Sequence, residues 1–465
     1  MLSVGILRYM AHLSAVCLVL LVPAMAQGQQ DRVVLSLPEA RTVAVHALAT
    51  GRPELAVQIT AGLLQADPRS SYAHFVLANA YADMGRHKDG RKSAARAFRY
   101  TKKPAQKFEA AELAARISYA DSRPTLTQLW LRRAVQNAPN EQVEKQLARD
   151  YGSVRQQNPF SFSLRGELRP SSNVNNGADT ALQVIDGLPF TGQLSGSAQA
   201  LSGLVGAFDG TVGYRLRGTP TSRTDLAARI YVQRTHLDGD ARALAPDLSN
   251  SDLGSTYGKI ELGHRFAVGT NGGSARLSAA LGQYWSSGNL SYSFVRLEGA
   301  RNWRLDARSS LSLNVSIDQR LSARSDFFDS TTFGVEAGAQ HTLAWGDRTS
   351  FSVTLQQSDS DFVNSRVSSA ALRMSYSFSE RIGPAQVSGG LVFGILDFPD
   401  YFAVFDIPDG RQDTSTHADI NFFLPDLDYA GFAPTLRLRA GRSRSNVSRF
   451  DTRELSVSVS VRSKF

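Results

Sequence analysis

The chain changes texture once along its length. From residue 158 to the end, apolar and polar positions alternate in short runs separated by turn-forming residues. In "FSVTLQQ" the apolar set is Phe351, Val353 and Leu355. In "SLSLNVSID" Leu311, Leu313, Val315 and Ile317 stand against Ser312, Asn314 and Ser316. "ALRMSYSF" sets Leu372, Met374, Tyr376 and Phe378 opposite Arg373, Ser375 and Ser377, and "TLRLRAGR" sets Leu436, Leu438 and Ala440 opposite Arg437 and Arg439. A period of two places such sets on opposite faces of a β-strand. Fourteen strands are expected, beginning near residues 159, 198, 222, 254, 273, 290, 308, 328, 348, 367, 384, 413, 433 and 453.

The closing run "ELSVSVSVRSKF" is the most regular. Leu455, Val457, Val459, Val461 and Phe465 share one face, and Ser456, Ser458, Ser460, Arg462 and Lys464 the other. Alone, it fits a strand of a soluble sandwich as well as a membrane strand. The joins separate the two. After the even strands they are mostly short ("GTPTS", "GTNGG", "DAR", "WGDR", "ERIGP"), with only "LPDLDYAGFA" longer. After the odd strands they include "SSNVNNGADTALQVIDGLPFTGQLSG", "LDGDARALAPDLSNSDLG" and "DYFAVFDIPDGRQ". Short turns at one end and long loops at the other mark an outer-membrane barrel, with the short turns toward the periplasm. A sandwich has no reason to sort its joins.

Residues 36–157 carry a helical pattern instead. Alanine and leucine are dense, and breaks fall at "TGRP", "ADPRS", "MGRHKDG" and "NAPNE". A degenerate 34-residue repeat runs through them. One unit, starting at Leu37, holds Gly51, Ala56 and Pro68. The next holds Leu77, Ala78, Tyr81, Gly85 and Ala97, and a third, displaced by a few residues, keeps Ala115, Ala134 and Pro139. Gly90 stands where alanine is wanted, and the third unit lacks a clear turn glycine. The pattern resembles the tetratricopeptide repeat, in which small residues let paired helices approach closely. An α-solenoid of about three hairpins is expected, a shape that presents a concave binding surface.

Residues 1–26 read as a signal peptide, with Arg8, an apolar stretch from Leu13, and Ala24-Met25-Ala26 before Gln27. Residues 27–35 are a short segment before the solenoid. Cys17 is the one cysteine and lies in the apolar stretch, so the mature chain is expected to hold no disulfide, thiol nucleophile or cysteine metal site. No run of eighteen apolar residues follows, which excludes a helical membrane protein but leaves a barrel open; the mean hydropathy of −0.22 suits either a barrel or a soluble chain.

The net charge of +9 is unevenly placed. Residues 31–158 hold 20 Lys and Arg against 12 Asp and Glu, and the barrel segment holds 30 of each. Lys88, Lys92, Arg96, Arg99 and Lys103 follow helical spacing and share one face. The ordinary reading is a solvated helix surface; the functional one is a site for an acidic partner or for lipid phosphates at the inner membrane surface. Nucleic acid would suit the charge but not the compartment. The histidines show no metal-ligand spacing and no HExxH, so no catalytic residue, metal or cofactor is implied, and the enzyme reading is weak. His264 and His341 read as lumen or interface residues. The aromatic stretch 393–405 reads as a girdle at the outer interface, or else as an outer loop that contacts substrate.

Solenoid followed by barrel narrows the field to outer-membrane export machines. "NPFSFSLRGELRPSSNVNNGAD", with Asn173, Asn175 and Asn176, resembles the barrel start of the surface lipoprotein assembly modulator (Slam) family, where an Asn-Ile/Val-Asn stretch follows the first strand. The tail from "GFAPTLRLRAGRSRSNVSRF" to the closing Lys-Phe resembles that family's end, although Gly-Ala-Asp after the Asn run departs from it. The resemblance implies a 14-stranded transmembrane barrel behind a periplasmic tetratricopeptide-like domain. It implies partners too: a periplasmic substrate protein (lipoprotein or soluble effector), outer-membrane lipids and the barrel-assembly machinery. That machinery would read Leu455, Val457, Val459, Val461 and Phe465 as an insertion signal. The expected role is export of a surface lipoprotein or secreted scavenger protein; a polysaccharide exporter or passive channel is the alternative.

Overall fold

A computed structural model describes residues 35–186, 191–269, 272–403, 405–429 and 432–463. The expected signal peptide, Cys17 and Phe465 lie outside the described residues. Seven helices come first: α1 (Leu37–Ala49), α2 (Pro53–Ala66), α3 (Ser71–Asp83), α4 (His87–Tyr100), α5 (Pro104–Ala120), α6 (Pro124–Val135) and α7 (Glu141–Gln157). Each packs on the next, and α1 also reaches α3 as α3 reaches α5, so the hairpins stack into an α-solenoid.

The starts and stops are written locally. Ser36 and Glu39 form a capping box on α1, and Asn140 accepts the Val143 amide at 2.9 Å to start α7. Pro53, Pro104 and Pro124 occupy first helical positions, where a missing N–H costs nothing. The three hairpin turns are the same turn. Gly51, Gly85 and Ser122 have φ of 69°, 70° and 52°, and the following amide bonds back to Ala47, Tyr81 and Ser118 respectively. The third unit therefore keeps the left-handed turn without glycine, at the small steric cost a serine incurs there. Fully buried Ala56, Ala73, Ala78, Ala94, Ala97, Ala111, Ala114 and Ala134 set the close approach of the helices. Gly90 departs from the repeat for a packing reason: a Cβ there would sit 3.3 Å from both Ala78 O and Ile117 Cδ1.

His74 is buried in this array, with Nε2 at 3.1 Å from the Pro68 carbonyl and no hydrogen-bond partner for Nδ1 among the described residues. Burial lowers its pKa below the ordinary 6.5, so the unfolded chain takes up the proton first. Solenoid stability should be full above pH 6.5 and decline as pH falls through the lowered native value. Thermal melts of the helical signal across pH 5–7.5 should show this slope, and His74→Gln should flatten it.

The barrel begins two residues beyond α7. Its strands are β1 (Phe160–Ser171), then the short β2 (Leu182–Val184) and β3 (Thr191–Gln193), then β4 (Gly203–Gly218), β5 (Ser222–Leu237), β6 (Ser255–Ala267), β7 (Ser274–Ser286), β8 (Asn289–Arg304), β9 (Ser309–Ser322), β10 (Ser330–Thr342), β11 (Arg348–Ser360), β12 (Val367–Ser377), β13 (Gln386–Phe398), β14 (Arg411–Phe423), β15 (Phe432–Ser445) and β16 (Thr452–Ser463). β1 and β4–β16 close into one antiparallel barrel, with β1 against β16, while β2 and β3 form a hairpin inside the first loop. Thirteen strands begin within two residues of expectation. The second starts at Gly203 rather than near 198, because Gly196–Ala198 forms a 3-10 turn and Gln199 bridges to Ala178.

Alternation holds around the wall. Phe162, Leu164, Leu168, Ile260, Leu281, Leu355 and Val459 point outward, each about half exposed or more. Inward positions hold Arg165, Glu167, Arg169, Ser352, Thr354 and Ser458. Joins at the solenoid end run from three to eight residues, the longest being 378–385 and 424–431, and joins at the far end include the three long loops, one of which contains a further helix, α8 (Gly239–Leu244). The shortest join is nevertheless at the far end. β7 and β8 meet through Ser287 and Gly288, with φ of 53° and 79°, the backbone of a two-residue hairpin turn.

Candidate functional site

The joint between the two halves is built rather than linked. Asn158, 2% exposed, donates to Gln128 Oε1 (2.6 Å) and Thr125 Oγ1 (3.2 Å) on α6, and its Oδ1 accepts the Phe160 amide at 3.0 Å. Arg215, at a register shift in β4, donates to the carbonyls of Gln156 and Asn158, both at 2.7 Å. A guanidinium on the last carbonyls of α7 also meets the negative end of the helix dipole. On the other side of the mouth, Arg132 of α6 lies 5.2 Å over the Phe432 ring at the start of β15, with its Nη2 2.8 Å from the Tyr151 hydroxyl. Burial lowers the pKa of its neighbour Arg133, which the nearby Tyr429 partly offsets. The α6–α7 hairpin is thus held beside the solenoid-side ends of β1 and β15.

That is also where the barrel seam lies. β1 pairs with β4 along its whole length, Phe160 to Ser171. Against β16 it is matched, among the described residues, only at Gly166, Glu167 and Leu168 (with Val461, Ser460 and Val459) and again at Ser171 (with Ser456). Pro170, which would face Val457, has no N–H to give. At the solenoid end Leu164 and Arg165 are unmatched to β16 among the described residues, although their register partners would be Ser463 and Arg462. The far end is laced shut: Arg453 N donates to Asp179 Oδ1 (2.6 Å), Val184 N to Ser448 Oγ (2.6 Å) and Ser448 Oγ to Leu182 O (3.0 Å). Among the described residues the seam is tied at the loop end, and its matched pairs stop at Gly166 on the side of the α6–α7 hairpin. The closing strand pairs with the first, as the sequence pattern predicts; where the matching stops is a matter of register between distant segments.

Inside, the lumen has two textures. Around the seam and across β4–β9, charges pair in a ladder. Glu454 takes Arg169 (2.5 Å) and Arg439 (3.5 Å), Asp209 takes Arg229 (2.8 Å), Glu261 takes Lys259 and Arg276, and Asp318 takes Arg296 (2.6 Å) and Arg320 (3.1 Å). Glu167, Arg169, Tyr231, Gln233, Arg439 and Ser456 line a polar cavity of about 220 Å³ beside the seam. The β11–β13 wall presents mainly small, uncharged groups, with Ser350 and Ser375 hydroxyls 2.6 Å apart. His264 and His341 face outward near the solenoid-side turns, bonded to Thr224 (2.8 Å) and Ser309 (3.0 Å), and so do not line the lumen.

The asparagine motif has a role sequence reading did not assign. Asn173 exchanges two 2.8 Å bonds with Gly177, and Asn175 holds Ser197 O, Gln199 O and the Leu201 amide at 3.0, 2.7 and 2.9 Å. Asn176 supplies the left-handed turn at φ 53°. A Cβ on Gly177 would lie 2.1 Å from Gln199 O, so only glycine fits. The motif folds the first loop so that Val174 and Leu201 pack with Leu237, Ala241 and Ala245. Asn175→Ala should raise the rate of protease cleavage between residues 172 and 202 roughly tenfold, since about 1–3 kcal/mol of bonding is lost, and leave the barrel folded.

The aromatic stretch corrects the girdle reading. Phe393 is outward on β13, but Tyr401, Phe405 and Phe450 pack with Ile185, Ile407 and Val447 into a loop core, and the Arg411 guanidinium lies 3.2 Å over Phe450. In the basic face, Lys88, Lys92, Arg96 and Arg99 are exposed on α4, the second helix of its hairpin, and none enters an ion pair among the described residues. Lys103 is not on that helix: α4 ends at Tyr100, and Lys103 precedes Pro104 of α5. Arg91, nearby, turns inward to Asp121. Asp89 has its pKa lowered chiefly by its bond to Arg86, with smaller contributions from Lys92 and Lys88.

Taken together, these features define a 14-stranded transmembrane β-barrel carrying an N-terminal α-solenoid on its mouth. No protein-family model matches the chain, and no curated protein does. Among solved structures, the chain is similar to an outer membrane channel of Pseudomonas putida F1, at 11% identity, TM-score 0.34, over 65% of this chain and 94% of that one. It is similar to Pseudomonas putida OprB at 9% identity, TM-score 0.39, over 68% and 97%. The type III secretion translocator chaperone SycD of Yersinia enterocolitica matches 27% of this chain and 88% of its own, at 14% identity and TM-score 0.24.

Proposed function

We propose that the chain is an outer-membrane translocon that receives a substrate protein in the periplasm and passes it to the cell surface or the medium. The substrate class is a surface lipoprotein or a secreted scavenger protein. One observation carries this reading: the α6–α7 hairpin is fixed by Asn158, Arg215 and Arg132 beside the incompletely paired end of the β1–β16 seam. A chain bound by the solenoid is delivered where the wall has the fewest cross-strand bonds to break. A layer without water penalises every unpaired backbone group, so a partly unpaired seam is the least costly place to insert one. Lys88, Lys92, Arg96 and Arg99 support capture of an acidic region of the substrate.

The test compares surface and secreted proteins of cells with and without the chain. Loss of one or a few specific proteins, restored by the full chain but not by the barrel alone, is the expected result. Reversal of Lys92, Arg96 and Arg99 to glutamate should reduce export without changing barrel levels. An unchanged protein profile together with lost uptake of small solutes would sink the proposal. That outcome belongs to a passive channel, the second reading, which the hydroxyl-lined wall around Ser350 and Ser375 favours.

A further inference from the structure

The outward face of β15 and β16 changes character abruptly. On β15 the outward row runs Leu436, Leu438, Ala440 and then Arg442 and Arg444; on β16 it runs Val461, Val459, Val457, Leu455 and then Arg453. The pairing has no bulge to reverse the alternation, and Arg442 lies directly opposite Arg453. The inward side is occupied by Arg437 and Arg439, which pair with Asp419 and Glu454. The three outward arginines therefore lie on the lipid side at the loop end, Arg442 and Arg453 at one level and Arg444 one two-residue step nearer the loops. Thr416 and Thr414 of β14 stand directly opposite Arg442 and Arg444 and add two hydroxyls to the same face.

Counter-charge is scarce. Arg453 pairs with Asp179 at 3.3 Å and stays 66% exposed, while Arg442 and Arg444 make no ion pair or hydrogen bond among the described residues. The outward row at this level on other strands holds Gln319, Thr331, Gln357, Ser368 and Asp397, and on β5 Arg234, whose guanidinium is taken up by Ser255 O (2.8 Å) and Thr256 Oγ1 (3.2 Å), so the uncompensated cations are concentrated here. A cation facing hydrocarbon is costly, and the arrangement is stable only where these guanidiniums reach anions at the headgroup level. Strand spacing of about 4.8 Å and a two-residue step of about 7 Å put all three within the span of one large headgroup. Guanidinium forks bind phosphate in a bidentate manner.

We infer that Arg442, Arg444 and Arg453, with Thr414 and Thr416, form a binding site for a lipid whose headgroup carries more than one phosphate, seated against β15–β16 beside the seam. The multiphosphorylated glycolipid of an outer leaflet has this chemistry. The assignment to that leaflet rests on the orientation proposed above; the site itself does not.

Purified full-length protein in detergent should be incubated separately with diphosphoryl lipid A, monophosphoryl lipid A, phosphatidylglycerol and phosphatidylethanolamine, and retained lipid read by native mass spectrometry. Retention should fall in that order, and the triple variant R442Q/R444Q/R453Q should retain at least about tenfold less diphosphoryl lipid than wild type. R444Q alone should lose several-fold, which keeps the test usable if the triple variant folds poorly. Heat-modified gel mobility reports folding. Equal retention by folded variants, or phosphatidylglycerol or phosphatidylethanolamine held as well as the diphosphoryl lipid, overturns the inference. Loop orientation is read separately by protease cleavage between residues 172 and 202 on intact cells, so a failure of the export reading leaves this result standing on its own.

Discussion

A disulfide between Leu168→Cys and Val459→Cys should abolish export, and reductant should restore it. The two positions are directly opposite across the seam, and Cα atoms so placed are about 4.5–5.5 Å apart, within disulfide range. Each matched pair across a seam in hydrocarbon holds bonds that water cannot replace, worth about 4–6 kcal/mol apiece in an apolar medium. Among the described residues the β15–β16 pair is matched from Phe432 to Ser443, whereas β1–β16 is matched only over the short stretch around Gly166 to Leu168 and at Ser171. Opening is therefore easiest at the seam, and a covalent link there removes the option. The control is Leu438→Cys with Val457→Cys, directly opposite within β15–β16, which should form its bond and leave export unchanged. Equal export by locked and unlocked seam variants would exclude lateral passage and leave the lumen as the route.

What was legible in the sequence was what local periodicity encodes. A strand with one apolar face repeats every two residues, so Leu455 to Val461 announce a strand without any partner, and the sorting of the joins announces its setting. Helix starts were equally local, because Pro53, Pro104 and Pro124 are first helical positions by their own chemistry. The third hairpin hid its turn, since Ser122 takes a conformation glycine normally marks. The working parts were illegible for a different reason. Arg215 reaches Gln156 and Asn158 across all of β1, the whole first loop and most of β4, and Arg169 finds Glu454 from the other end of the barrel's sequence. Neither pairing has a periodicity to betray it. Asn173 and Asn175 were visible as a motif, but a motif reports that positions matter, not that they serve to hold Gly177 and Leu201 in a folded loop.

The outward row of β16 carries the other large expectation. Val457 lies midway between Arg453 at the loop end and Val461 toward the solenoid, so it marks the middle of the apolar band. Val457→Arg should cost the barrel about 2–4 kcal/mol, the penalty for a cation at the midplane of a barrel's lipid face. In refolding into lipid vesicles the denaturant midpoint should drop accordingly, and in cells the variant should accumulate poorly in the membrane. Ser460→Arg, three residues away but facing the polar interior, should change the midpoint by less than about 1 kcal/mol, because the added charge meets water. Val457→Thr should fall between them. The sign of the difference follows from alternation alone, so the pair of arginine variants measures which face is in lipid. If Ser460→Arg proved the costlier of the two, the apolar row would be facing inward, and the barrel would have to be read as a soluble one with a packed core.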